Sequence, residues 1–256
     1  MELKGDKSKV GLYLSGQQIE VPNANIFIVQ PTINQIVSFG EDNFLIAINL
    51  LVKTENLTKQ LKEGNSGLEL YSDFQLLMIV LREDPSVRQM VQDLFELIFP
   101  DYSIQITELG INFLIQNKES EQNSFVGQIH AYNFDDFKIL LSDLFTVHGD
   151  KDTEEREFNP ANDAAAKIAK KLQRGREQRA QARGPQSLFG IYCSVLSIGL
   201  GMDINIFYNY TPFQLFDAYN RYFAKVQSDF YMRVSTMPFM DVSSMEQPKE
   251  WSRHLY

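Results

Sequence analysis

The side chains best suited to catalysis or metal binding are few in this sequence and lie far apart. The 256 residues include one cysteine, Cys193, and three histidines, His130, His148 and His254. A cysteine nucleophile needs a neighbouring cation that lowers its pKa, and the residues around Cys193 are apolar. The histidines lack the short spacings from which zinc sites are built. We therefore predict a buried, inert thiol, no metal site and no histidine-based catalysis.

The other candidate motifs have ordinary structural explanations. Asp135-Asp136 and Glu154-Glu155 are adjacent in sequence, and adjacent side chains point in different directions, so neither pair is expected to share an acid/base site. Gly199-Leu200-Gly201 lacks the third glycine of a dinucleotide-binding fingerprint and follows a predicted helix, where glycine commonly marks the end. The chain is accordingly predicted not to be an enzyme and to need no cofactor.

The densest positive charge lies in a helix predicted from residue 161 to residue 183, between Asn159-Pro160 and Gly184-Pro185. Residues 159–184 carry a net charge of +5, whereas residues 1–158 carry −13. Three interpretations remain open: a solvated or partner-facing helix, which we favour, docking onto the acidic N-terminal region, or nucleic-acid binding by phosphate neutralisation. The cations are Lys167, Lys170, Lys171, Arg174, Arg176, Arg179 and Arg183.

Apolar runs bounded by turn residues predict strands in the first part of the chain, and capping boxes predict helix starts. Thr32 with Gln35 marks one start, and Asp84 followed by Pro85 marks another. The predicted strands are 10–14 and 19–21, paired around Ser15-Gly16, then 26–29, 103–106, 111–115 and 126–131. The predicted helices are 32–40, 41–52, 73–81, 85–99 and 134–147.

The C-terminal part is predicted to be entirely helical, over 187–200, 203–208, 211–234 and 248–254. The fold class is therefore α+β, with an N-terminal region of mixed strands and helices and an all-helical C-terminal module. The change of charge divides the chain into residues 1–148, an acidic α+β domain, residues 149–184, an acidic linker plus the basic helix, and residues 185–256, an aromatic-rich helical module.

The most apolar tract, residues 187–201, is shorter than the roughly 18 residues that a membrane-spanning helix needs. We predict that it is a buried core helix and that the protein does not enter a membrane. The N-terminus is polar and no apolar run follows it, so no secretory signal is expected and the protein should stay inside a cell.

Several stretches resemble proteins from the structural and assembly gene blocks of tailed bacteriophages. They are IFIVQPTINQIVSFGEDNFLIAINLL (26–51), FNPANDAAAKIAKKLQRGREQRA (158–180), and TPFQLFDAYNRYFAKVQSDFYMR (211–233) followed by PKEWSRHLY. The last portion is similar to the C-terminal ends of phage tail assembly chaperones. The resemblance implies a non-enzymatic morphogenesis protein or virion subunit that binds the tape measure or another tail component. Its location would be the cytoplasm of the infected bacterial host, or the virion.

The helix predicted over 211–234 has more aromatic side chains than one buried face needs, so part of it is expected to meet a partner. Its rings are Phe213, Phe216, Tyr219, Tyr222, Phe223, Phe230 and Tyr231. Interface hot spots are enriched in Trp, Tyr and Arg. We therefore predict Arg221, Tyr222 and Trp251 as contact residues, together with the cations of the basic helix. The alternative function is nucleic-acid association through residues 161–183.

Overall fold

The computed structural model describes residues 7–55, 70–116, 123–145 and 187–237, together with residues 59, 62 and 68. The elements in chain order are α1 (Lys7–Ser15), β1 (Ile19–Val21), β2 (Ile26–Ile28), α2 (Ile33–Phe39), α3 (Glu41–Val52), α4 (Asp73–Glu83), α5 (Pro85–Ile98), β3 (Ser103–Ile106), β4 (Ile111–Gln116), β5 (Asn123–Ile129), α6 (Phe134–Phe145), α7 (Leu188–Leu200), α8 (Ile204–Tyr208) and α9 (Pro212–Ser235). The predicted α+β class is confirmed.

The first element is a helix where the sequence predicted a strand. α1 includes the whole 10–14 run, so the predicted hairpin around Ser15-Gly16 is wrong. Val10, Tyr13 and Leu14 all face the core, and their spacing of three and four residues suits one side of a helix. The hairpin instead joins β1 to β2, with Ile19 opposite Ile28.

Side-chain caps begin the helices where the sequence predicted them. Thr32 accepts a hydrogen bond from the Gln35 N–H at 3.3 Å, and the Gln35 amide oxygen accepts one from the Thr32 N–H at 2.8 Å. Asp84 accepts hydrogen bonds from two backbone N–H groups at the start of α5. Between α2 and α3, Gly40 has a φ of 109°, a conformation that glycine adopts readily and other residues avoid.

Three antiparallel strands, β3–β4–β5, form the larger sheet. The predicted hairpin of 103–106 with 111–115 is confirmed, with Ile104 opposite Phe113. Gly127 in β5 lies against the turn between β1 and β2. A Cβ atom there would overlap the Ala24 carbonyl and lie 3.0 Å from Ile26, so the absence of a side chain allows the two sheets to meet.

The three C-terminal helices pack against the N-terminal ones. The Ile33 N–H at the start of α2 donates to the Tyr210 carbonyl at 2.8 Å. The Gln214 side chain of α9 donates to the Leu14 carbonyl of α1 at 2.7 Å. Thr211 and Gln214 form the predicted capping box. These bonds tie both ends of the described chain together.

One hydrophobic core extends through helices from both parts of the described chain. Phe44 of α3 contacts Phe145 of α6 and Phe189 of α7, with ring centroids 5.6 and 6.5 Å apart. A second group of rings, Phe95, Phe99, Phe113 and Phe137, joins α5 and α6 to the three-stranded sheet. The predicted division at residues 148 and 185 remains a prediction.

Candidate protein-binding surface

α7 is apolar on both sides and buried on only one. Phe189, Cys193 and Leu196 follow one another at intervals of four and three residues and are fully buried. Ile191, Val195 and Ile198 have the same spacing on the opposite side and are exposed, Ile198 to 84%. The prediction of a buried core helix is therefore right for one face and wrong for the other. An apolar helix face left in solvent is unusual for a monomeric protein and typical of a binding surface.

α9 presents a second exposed apolar row beside α7. Phe223, Val226 and Phe230 lie at intervals of three and four residues, with Phe223 and Phe230 exposed to 49% and 57%. The buried rings of α9 lie nearer its N-terminus, where Phe213 is almost fully enclosed. We refer to Ile191, Val195, Ile198, Phe223, Val226 and Phe230 together as the α7–α9 surface.

Aromatic contacts hold the two helices side by side. Phe189 stacks on Phe216 with centroids 5.8 Å apart, and Tyr192 meets Tyr219 edge-to-face at 4.5 Å. Farther along, the Tyr222 ring lies directly on Gly199, where any Cβ atom would collide with it. Ile198 and Phe223 are the chain neighbours of that pair.

The N-terminus of α7 is held by a carboxylate from a distant helix. Glu41, the first residue of α3, accepts hydrogen bonds from the Ser187 hydroxyl and from the Leu188 and Phe189 N–H groups, the last at 3.2 Å. Ser187 in turn accepts from the Gly190 N–H at 2.8 Å. A negative charge is favourable here because the first N–H groups of a helix have no partner within it. The Glu41 carboxylate therefore fixes the position of the N-terminus of α7, the helix that carries half of the surface.

Two of the predicted contact residues have partners within the chain. The Arg221 Nε donates to Asp217 at 2.8 Å, and the Tyr222 ring packs on Gly199. Asp217 is buried, and its second carboxylate oxygen has no hydrogen-bond partner among the described residues. Whether either residue also contacts another molecule remains a prediction. Trp251 and the seven cations of the basic helix lie outside the described residues.

Sequence reasoning missed several residues of this surface. The predicted contacts were chosen by residue type, whereas the exposed ones on α7 are aliphatic. One signal was available: α7 has no charged side chain, and most of its circumference is apolar.

Cys193, the single cysteine of the sequence, lies in the folded core. Burial raises the pKa of the Cys193 thiol to about 11, and Glu41 adds to the shift. The predicted buried thiol is thus confirmed. Within the described ranges, no group of three His, Cys, Asp or Glu side chains is placed to hold a metal ion.

No single helix among the described residues is long and apolar enough to cross a membrane. α2 and α3 are long and apolar enough only when taken together, and the chain bends by 98° between them.

Comparison of the chain with protein-family models, with curated proteins and with solved structures finds no match in any of the three.

Proposed function

We propose that this protein acts by binding another protein through the α7–α9 surface. The observation that carries the proposal is the outer face of α7, whose three aliphatic side chains lie in solvent beside the exposed aromatic row of α9. Two adjacent helices with exposed apolar rows form a site that suits the apolar face of a partner helix. The apolar face of a partner helix is bound through buried area and complementary shape, so binding requires no reactive side chain.

The resemblance to phage tail assembly chaperones extends this proposal to a biological role. The stretches that carry it include α2, α3 and α9, and Glu41 within them supports α7. The proposed partner is therefore a helical segment of the tape measure or of another tail or virion protein. The protein would act as a non-enzymatic assembly chaperone or virion component. Nucleic-acid association through residues 161–183 remains the alternative prediction, and the described residues add no support for it.

The test is co-purification with the tail proteins encoded beside this chain, using variants of exposed residues. Ile198→Ser and Phe230→Ser each remove apolar area that a partner would cover. Burying about half of a Phe or Ile side chain contributes roughly 1–2 kcal/mol, so each change should weaken binding about five- to thirtyfold. Binding is measured by calorimetry on the purified pair.

Matched controls come from other faces of the molecule. Ile139 of α6 and Phe125 of β5 are comparably exposed and lie outside the α7–α9 surface. Ile139→Ser and Phe125→Ser should leave the affinity unchanged, and all four variants should unfold at similar temperatures. If Ile198→Ser and Phe230→Ser bind as tightly as the controls, this surface is not the docking site. If no tail protein is retained by the unmodified chain, the assembly role is wrong.

A further inference from the structure

A groove of about 660 Å³ lies on a different part of the molecule, between α4, the start of α5, the β3–β4 turn and the loop before α6. None of its lining residues belongs to α7 or α9, so it is independent of the surface described above. Its floor is apolar, formed by Phe74, Met78 and Ile106, which pack on the core. A volume of this size accommodates a few side chains of a bound molecule.

The rim of the groove has exposed apolar groups on fixed turns. Tyr132 is 96% exposed and Leu109 is 82% exposed. The loop of Tyr132 is held by Asn133, whose amide nitrogen donates to the Asn23 and Gln128 carbonyls at 3.0 and 2.9 Å. The turn of Leu109 is closed by the Thr107 N–H, which donates to the Gly110 carbonyl at 2.9 Å. A backbone already held by hydrogen bonds needs little further ordering when a ligand binds.

The charges at the groove are unlike those of the chain as a whole. It is lined by Arg82, Arg88 and Glu108 in a protein of net charge −9, and with Glu83 beside Arg82 its two positive charges face two negative ones. Arg82 pairs with Glu83 at 2.9 Å and lies 3.9 Å from Glu108. Arg88 forms no ion pair with the described residues. Its guanidinium is therefore available for a carboxylate, with which it can form two parallel hydrogen bonds.

We propose that this groove binds a peptide segment of a partner protein that contains both apolar and acidic residues. An aliphatic or aromatic side chain of the peptide contacts the apolar floor, and a neighbouring Asp or Glu pairs with Arg88. Tyr and Arg are enriched among the residues that dominate protein interfaces, and Tyr132 is exposed while Arg88 forms no ion pair with the described residues. A nucleic-acid strand fits less well, because Glu83 and Glu108 lie beside Arg82 and leave Arg88 as the one lining arginine without an acidic partner among the described residues, too few cations for a run of phosphates.

The experiment is a selection of random dodecapeptides on the immobilised full chain, followed by fluorescence anisotropy with the most enriched peptide. We expect the enriched peptides to combine an aliphatic or aromatic residue with Asp or Glu. Arg88→Gln and Tyr132→Ala should each weaken the binding of that peptide about tenfold, or roughly 1.4 kcal/mol. Both side chains are exposed, so neither change should lower the unfolding temperature.

The matched control is Lys225→Gln, which removes the same charge from an exposed position of α9 and should leave peptide affinity unchanged. The proposal is overturned if no peptide is enriched, if the enriched peptides lack acidic residues, or if Arg88→Gln binds as tightly as Lys225→Gln. Competition by oligothymidylate at the same site would assign the groove to nucleic acid instead. Peptides whose affinity also falls with Ile198→Ser or Phe230→Ser are bound by the α7–α9 surface and are set aside before the groove is tested.

Discussion

Replacing Glu41 tests how the C-terminal helices are held to the rest of the molecule. Its carboxylate accepts three hydrogen bonds at the N-terminus of α7, from Ser187, Leu188 and Phe189. Two of the donors are backbone N–H groups that have no partner inside the helix. Glu41→Ala removes all three bonds and the charge, while Glu41→Gln keeps the shape but removes the charge and replaces one of the two acceptor oxygens by an amide donor.

The expected loss of stability follows from these contacts. Hydrogen bonds to a charged group contribute about 1.5–3 kcal/mol, and a charge at a helix terminus contributes about 0.3–1 kcal/mol. We expect Glu41→Ala to lower the free energy of unfolding by about 3 kcal/mol and Glu41→Gln by about 1 kcal/mol. For a chain of this size, about 3 kcal/mol corresponds to a fall in unfolding temperature of roughly 6–12 °C.

The assay is urea unfolding followed by circular dichroism, with Asp42→Ala as the control. Asp42 is exposed in the same first turn of α3, so it reports what a charge there contributes to α3 alone. The double variant of Glu41 and Ser187 should show a coupling energy of about 1 kcal/mol. If Glu41→Ala and Asp42→Ala differ by less than about 0.5 kcal/mol, the carboxylate does not hold α7 in place.

Three further predictions follow from buried positions. Gly127→Ala should lower the free energy of unfolding by about 2–3 kcal/mol because its Cβ meets the Ala24 carbonyl. Gly11→Ala, at an exposed position of α1, should raise the free energy of unfolding by about 0.5–1 kcal/mol; equal urea midpoints for the two variants would contradict this. Cys193 should react with a thiol reagent slowly in the native protein and rapidly in urea, since burial keeps its thiol protonated; fast native labelling would show the thiol to be accessible. Burial and Asp143 raise the pKa of Tyr13 to about 12, so its stabilising contribution is present below its unfolded pKa of 10 and is lost as the pH rises through the folded value. The urea midpoint should therefore fall more between pH ~8 and ~11 for the native protein than for Tyr13→Phe, and an equal fall would contradict the assignment.

Much of the secondary structure could be predicted because helix caps are local. The Thr32–Gln35 and Thr211–Gln214 boxes and the Asp84 cap each depend on residues within three positions of one another. The 10–14 run was predicted wrongly for the opposite reason. Its short apolar run suits a strand, but packing of Tyr13 on Phe213, about 200 residues away, favours a helix.

The candidate surface could be predicted only in part. The excess of rings on α9 was visible in sequence, and Phe223 and Phe230 were among those named. Which side chains stay exposed depends on which face of α7 is covered, and this is decided by Phe44 and Phe216 from distant elements. The role of Glu41 was equally hidden, because its partners lie 146 or more residues away.

The contacts of Glu41, Leu14 and Ile33 with the C-terminal helices set an order of events during synthesis. Their partners, from Ser187 onward, leave the ribosome after roughly 150 further residues, which takes about 10–30 seconds at ordinary elongation rates. Over that interval the inner sides of α1 and α3 have nothing from α7 or α9 to cover them. A chain interrupted before residue 187 would leave Tyr13 without Phe213 and Phe44 without Phe189, and the apolar surface so exposed would make it a substrate for chaperones and proteases.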